Sequence, residues 1–249
     1  MLAWVAWENR VEDTQPDRAF STLDSGSEAE RAVAGRLLQE GYTVLRSSAF
    51  RTQLEALQDR YPVIYARASQ QDLDPAGVAA IVSLEPPGSR FAPAQAMIVD
   101  DGGPMLGAAG EGGTTGRYSD VMITRGVLEA FGSSDVVTRS CAVNVAAHEY
   151  AHTISLTPVG YRVAFTDTNE AQREIADRRH PGTPVASYLI GSVAQCVWLE
   201  RQGRIGPDDI GDCIAVFGTA AFNWDRCGQF AGGEPVAPRP GLAPAVPPL

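Results

Sequence analysis

The sequence predicts an α+β fold, as one domain of two lobes or two small domains, because strand patterns are confined to the first half of the chain while helical patterns continue beyond it. The chain has 249 residues, of which 44% are hydrophobic and 20% charged, and such values are typical of a folded globular protein. Its segments are a polar leader over 1–26, a mixed segment over 27–157, a helical segment over 158–232 and a proline-rich tail over 233–249.

Apolar spacing and turn residues predict the elements of the mixed segment. Ala32, Val33, Leu37 and Leu38 recur at helical spacing and Gly41 follows as a C-cap, which predicts the first helix. The order expected is a helix over 27–40, a strand over 43–45, a helix over 49–61, a β-rich run over 78–84, and strands over 95–99 and 120–124. Between the last two strands, seven glycines over 102–116 leave little room for regular structure.

Helical patterns dominate the rest of the chain. A long helix is expected from about residue 134 to 156, because Pro158 and Gly160 follow it, and a polar helix over 168–179. Residues 184–200 are apolar nearly all round, which predicts a helix buried against others. The tail after Gly232 cannot build a core and is expected to be disordered or polyproline.

Charge and composition exclude several classes of function. The formal net charge is −10 and all twenty basic residues are arginine. An acidic chain repels a phosphate backbone, so nucleic acid is not the expected partner. The absence of lysine excludes a P-loop, a pyridoxal Schiff base and a Ser-Lys hydrolase. No run of eighteen apolar residues occurs, so no membrane-spanning helix is expected.

Four cysteines make an even count without a CxxC spacing. They permit two disulfides in three connectivities, or buried free thiols. The pairing we favour joins Cys213 to Cys227 and Cys141 to Cys196, and it implies an extracytoplasmic or secreted protein whose signal peptide is not part of this chain.

The strongest chemical signal is the segment from Ala147 to His152, which contains HExxH. His148 and His152 are four residues apart and therefore share one face of the expected helix, where both imidazoles can reach one Zn²⁺ ion. Glu149 projects beside them and can act as general base on a water that zinc activates. The alternative without a metal site is an amphipathic helix whose histidines are satisfied by hydrogen bonds.

At these residues the sequence resembles the zincin metallopeptidases. The resemblance implies an upper lobe of mixed sheet and helices, an HExxH helix, a mainly helical lower lobe, and a peptide or protein substrate. It also implies that an extended substrate pairs with an edge strand near Met105 to Ala109, although a plain surface loop is an equal alternative there.

The third zinc ligand distinguishes the subfamilies. The residues after His152 lack the glycine and histidine of the metzincin motif, which excludes that subfamily. Asn169-Glu170-Ala171 resembles the ligand segment of the gluzincins, with Glu174 one turn further on, so Glu170 is the expected ligand. Glu170 also fits a capping box that begins at Asp167. Four other candidates therefore stay open: His180, Asp167, Glu174 and Asp177.

A zincin also needs a group that steadies the oxyanion. Tyr161 is the residue we assign, with His180 and Tyr188 as alternatives, although a tyrosine is more often a core residue. The sequence thus predicts a zinc-dependent peptidase in which Glu149 is the general base. The alternatives are a non-catalytic zincin-like binding or structural module and, more weakly, a scaffold built on the proline-rich tail. The oligomeric state is not predicted.

Overall fold

The computed structural model describes residues 22–24, 26–66, 71–84, 95–99, 107–112, 117–153, 155–156, 163–165 and 184–217. The helices among them are α1 (Glu28–Leu45), α2 (Ser48–Glu55), α3 (Pro75–Leu84), α4 (Arg125–Gly132), α5 (Val136–Thr153), α6 (Ala186–Arg201) and α7 (Ile210–Phe217). The strands are β1 (Thr22–Asp24), β2 (Ile64–Ala66), β3 (Gln71–Leu73), β4 (Gln95–Val99), β5 (Gly107–Gly112), β6 (Arg117–Thr124), β7 (Ser155–Leu156) and β8 (Val163–Ala164).

The main sheet of the described residues has the strand order β1-β4-β6-β5. Strand β4 is parallel to both β1 and β6, and β5 is antiparallel to β6 at the edge. The register of the edge pair shifts by one residue between Gly110 and Glu111, as it does at a β-bulge. Short hairpins β2–β3 and β7–β8 lie outside this sheet.

Helix α5, which carries HExxH, lies in the centre of the described fold. It contacts α1, α4, α6 and the two strands β5 and β6. Residues 140–151 of this helix are all buried, since elements surround it on several sides. The motif is therefore held by a helix that has little freedom to move.

Helix α6 forms the most extensive contact with α5. All residues from Ala186 to Leu199 except Tyr188 are buried, which confirms the buried helix predicted over 184–200. Its N-terminal end is anchored to β2, because the amide of Tyr65 donates to the carbonyl of Pro184 over 2.9 Å. None of the described helices has the length and apolarity that a membrane span requires.

Two predictions of element type before residue 85 were wrong. The strand predicted over 43–45 is the last turn of α1, which passes through Gly41 without ending there. A Cβ at Gly41 would lie 3.3 Å from the Cβ of Ala146, so this glycine allows α1 to approach α5 closely. The β-rich run predicted over 78–84 belongs to helix α3.

The glycine-rich segment and the long helix also differ from expectation. Strand β5 forms within residues 102–116, where regular structure was not expected. The helix expected from about residue 134 is present as α5, and the additional helix α4 precedes it. The strand predicted over 95–99 is confirmed.

Two further predictions, the polar helix over 168–179 and the proline-rich tail, lie outside the described residues.

The disulfide pairing is another correction. Cys196 is bonded to Cys213, with a Cα–Cα distance of 5.9 Å, so this bridge joins α6 to α7. Cys141 of α5 is also disulfide-bonded. The two predicted bridges, Cys213 to Cys227 and Cys141 to Cys196, were therefore both wrong. Cys196 is near the C-terminal end of α6 and lies beside α7. The spacing of the cysteines in the sequence did not indicate this proximity.

Candidate metal centre

The helix that carries the motif begins at a well-formed N-cap. Asp135 immediately precedes α5, and its Oδ2 accepts hydrogen bonds from the amide of Thr138 at 2.7 Å and from the Thr138 hydroxyl at 2.6 Å. Hydrogen bonding by Thr138, first through its side chain, lowers the pKa of the Asp135 carboxyl below its ordinary value. The negative carboxylate at this position also complements the helix dipole.

The two motif histidines lie side by side on one face of α5. Their Nε2 atoms are 3.1 Å apart, and their ring planes are nearly perpendicular at 88°. His148 is 7% exposed and Glu149 is 5% exposed, whereas His152 is half-buried. The Nε2 atoms of the two imidazoles thus lie next to each other, with the carboxylate of the motif buried in the same turn.

A backbone carbonyl fixes the orientation of His152. Its Nδ1 lies 2.6 Å from the carbonyl oxygen of Phe165. A carbonyl oxygen only accepts hydrogen bonds, so Nδ1 carries the hydrogen and, in the neutral ring, Nε2 carries the lone pair. The ring nitrogen that faces His148 is therefore the one prepared to bind a metal.

The β7–β8 hairpin places Phe165 at this position. Leu156 pairs with Val163 and Ser155 with Ala164 in an antiparallel ladder immediately after α5. Phe165 follows β8 and its side chain is fully buried. The chain that leaves the motif therefore returns to it within thirteen residues and supplies the carbonyl.

Tyr188 of α6 is the aromatic neighbour of the site. Its ring centroid lies 4.7 Å from that of His148, with an angle of 38° between the planes. It is half-buried among neighbours that are buried. The alternative oxyanion residue Tyr188 is therefore beside His148 of the motif.

The geometry fits a zinc ion at the two histidines. Two imidazole nitrogens bound to one tetrahedral zinc at about 2.0–2.1 Å are separated by roughly 3.3 Å, close to the 3.1 Å between these Nε2 atoms. The carbonyl on His152 Nδ1 is the partner that zinc-bound histidines commonly have. Among the described residues, no group of three or more His, Cys, Asp or Glu side chains could hold a metal.

The remaining predicted site residues are not in the described part of the chain. Glu170, Tyr161, His180, Asp167, Glu174 and Asp177 all lie in the gaps 157–162 and 166–183. The choice among the candidate ligands therefore stays a prediction.

Sequence reasoning missed three groups near the site. The Phe165 carbonyl has no signal in the sequence, because every residue has such an oxygen. Asn144 and Gln195 had a signal that was not used. Each is a polar residue in the middle of an apolar helix, and buried polar side chains need partners.

No protein-family model, curated protein or solved structure matches the chain.

Proposed function

We propose that the protein is a zinc-dependent peptidase with a zincin-like fold. The observation that carries the proposal is the pair of Nε2 atoms 3.1 Å apart, one of them oriented by a carbonyl on the other ring nitrogen. At 3.1 Å the two nitrogens are also within hydrogen-bond distance of each other, so the zinc measurement below distinguishes a metal-binding pair from a hydrogen-bonded pair. The buried Glu149 between them in the same motif adds the base that hydrolysis requires.

The chain's own residues have distinct roles in this proposal. His148 and His152 hold the ion, and the Phe165 carbonyl keeps the His152 ring in its binding orientation. When bound, Zn²⁺ supplies a Lewis acid that makes a water molecule nucleophilic near neutral pH. Glu149 accepts the proton of the attacking water at a carboxylate oxygen and returns it to the nitrogen of the leaving amine. Glu170 is the proposed third ligand, and Tyr161 is the proposed oxyanion donor.

Strand β5 supports an extended peptide as the substrate. It lies at the edge of the described sheet and contacts the HExxH helix. An edge strand presents backbone N–H and C=O groups that an extended peptide can pair with. A peptide bound in this way would run past the helix that carries the proposed catalytic residues.

The disulfides support an extracytoplasmic location for this activity. All described cysteines, Cys141, Cys196 and Cys213, are disulfide-bonded. Such bonds persist in oxidising compartments and are rare in the cytosol. We therefore propose that the peptidase acts outside the cytoplasm.

The test compares Glu149→Gln with the unmodified protein in two measurements. Zinc content is measured by elemental analysis after exchange into metal-free buffer, and cleavage of a peptide library by mass spectrometry. We expect about one zinc ion in both proteins, and cleavage at least about 100-fold slower in the variant, because a general base contributes a factor of this size. Chelation should stop cleavage by the unmodified protein.

Glu129→Gln is the matched control, because Glu129 is an exposed glutamate on helix α4. It should keep both zinc and activity. Zinc bound without any cleavage would favour the non-catalytic module instead, and absence of zinc from the unmodified protein would reject the proposal.

A further inference from the structure

A chain of buried hydrogen bonds joins α5 and α6 near the site. Asn144 Nδ2 donates to Gln195 Oε1 over 2.7 Å, and Gln195 Nε2 donates to Ser140 Oγ over 3.0 Å. The Ser140 hydroxyl donates to the carbonyl of Val137 over 2.6 Å. These three side chains, which we call the polar relay, are at most 2% exposed. Each donor finds an acceptor, and the relay ends on the backbone of α5.

Gly191 makes room for the relay. A Cβ built at this position would lie 2.3 Å from Asn144 Oδ1 and 3.0 Å from the Asn144 carbonyl oxygen. The Asn144 side chain therefore occupies the space that any other residue at position 191 would fill. Moving α6 by one residue shifts it about 1.5 Å along its axis and turns it about 100°, which would bring Ile190 or Ser192 against Asn144. The packing and the hydrogen bonds thus select the same register.

The relay is adjacent to the proposed metal centre along both helices. His148 follows Asn144 by one turn on α5, and Tyr188 precedes Gln195 by two turns on α6. The helices run in opposite directions, because Asn144 faces Gln195 while His148 faces Tyr188. The contact between the His148 and Tyr188 rings therefore lies one turn of α5 beyond Asn144 along the same interface.

We propose that Asn144 and Gln195 are positioning residues, which fix the register of α6 against α5 and so hold the Tyr188 ring against His148. Most of this interface is apolar, and apolar contacts are non-directional. A buried hydrogen bond is directional, and breaking it leaves a polar group unsatisfied at a cost. The register of α6 against α5 does not depend on zinc. Only the expected effect of that register on zinc affinity rests on the proposed function.

The test removes both ends of the Asn144–Gln195 bond together. The variant Asn144→Leu with Gln195→Met replaces the pair by apolar side chains of similar size, an exchange that can be nearly neutral for stability. We expect this double variant to unfold at a similar temperature. In the metal-free protein, the ring-proton NMR resonances of His148 should move, because the aromatic ring beside them has shifted. Zinc affinity should fall about tenfold, the lower end of the effect of disturbing groups around a metal ligand.

Two variants calibrate the measurement. Tyr188→Leu removes the aromatic ring and shows how far the His148 resonances move when that contact is lost. Glu200→Gln changes a partly exposed polar residue near the C-terminal end of α6, and it should leave the resonances in place. With only three histidines in the chain, replacement of each in turn assigns the signals.

A folded double variant with unmoved His148 resonances would overturn the proposal. If the double variant does not fold, Ser140→Ala removes only the hydroxyl at the end of the relay, which accepts from Gln195 and donates to Val137. It should move the same resonances by a smaller amount in the same direction. Unmoved resonances in that variant would overturn the proposal as well. If the wild-type protein binds no zinc, the proposed function is rejected. The NMR spectra of the metal-free protein would still show whether Asn144 and Gln195 fix the register of α6.

Discussion

Arg125 donates a hydrogen bond from Nε to Glu30 Oε1 across 2.6 Å, which ties the first turn of α4 to the first turn of α1. The other carboxylate oxygen of Glu30 accepts from the amide of Ser27 at 2.7 Å and completes a capping box. The backbone hydrogen bond from Ser27, followed by the hydrogen bond from Arg125, lowers the pKa of Glu30 from 4.5 to about 2. One carboxylate thus both caps a helix and pairs with a second helix.

This arrangement predicts a stability that decreases at acidic pH. Because the pKa is lower in the folded state, the contribution of Glu30 is complete above about pH 4.5 and is lost as the pH falls toward 2. Glu30→Gln should lower the free energy of unfolding at pH 7 and make its decline over this range less steep. Urea denaturation at a series of pH values measures both effects. Glu28→Gln, which changes an exposed glutamate in the same turn, should retain the acid dependence, and equal profiles for the two variants would contradict the assignment.

A second prediction concerns the third zinc ligand. Glu170→Ala should lower zinc affinity by about tenfold or more, because a carboxylate eighteen positions after His152 can return to the metal once the chain turns. His180→Ala should retain the metal, since His180 immediately precedes Pro181 and would be poorly held there. Competition with a chromogenic chelator gives both affinities. If His180→Ala empties the site and Glu170→Ala does not, the gluzincin-like assignment is wrong.

The bridge between α6 and α7 gives a third prediction. Cys196 and Cys213 are separated by 17 positions, and closing a loop of this length stabilises a fold by about 3 kcal/mol in the chain-entropy model. Replacing both cysteines by serine should lower the free energy of unfolding by about that amount. Mass spectrometry of a non-reducing digest should find the two residues in one linked peptide pair. Peptides linking Cys141 to Cys196 would contradict the pairing.

A fourth prediction compares two glycines in helices. Gly191→Ala places a methyl group against Asn144 and should destabilise the protein by about 1–3 kcal/mol, as overpacking does. Gly211 is exposed in α7 with nothing within 4 Å of an added Cβ. Gly211→Ala should therefore stabilise by up to about 1 kcal/mol through helix propensity. Thermal unfolding of both variants measures the contrast, and similar shifts in the same direction would refute the close packing at Gly191.

Much of the helical framework could be predicted from sequence, and the errors have physical causes. The HExxH helix and the buried helix α6 were predicted because their patterns are long. Gly41 was interpreted as a cap, although tertiary packing against Ala146 makes it an interior residue of α1. Helix α3 was missed because its β-branched residues favour a strand, and this preference was given more weight than the residues that mark a helix N-terminus. Asp74 accepts a hydrogen bond from the Gly77 amide at 2.6 Å, and Pro75 is the first residue of the helix.

The candidate site was predictable only in part. Helix geometry alone places His148 and His152 together. The carbonyl that orients His152 depends on the path of the β7–β8 hairpin, which no residue type encodes. Predicting the hydrogen bond between Asn144 and Gln195 requires knowing that α5 and α6 pack together in opposite directions.

The parallel pairing of β1 with β4 has a consequence for how the chain folds. Thr22 pairs with Gln95, roughly seventy positions away, and contacts so distant in sequence form slowly because a long loop has to close first. Strands β5 and β6 are neighbours in the chain and can pair early. During synthesis on the ribosome, β1 therefore has to wait for β4 to emerge, and until then its backbone groups have no strand to pair with in this sheet. We expect the addition of β1 to be among the last steps in completing the sheet.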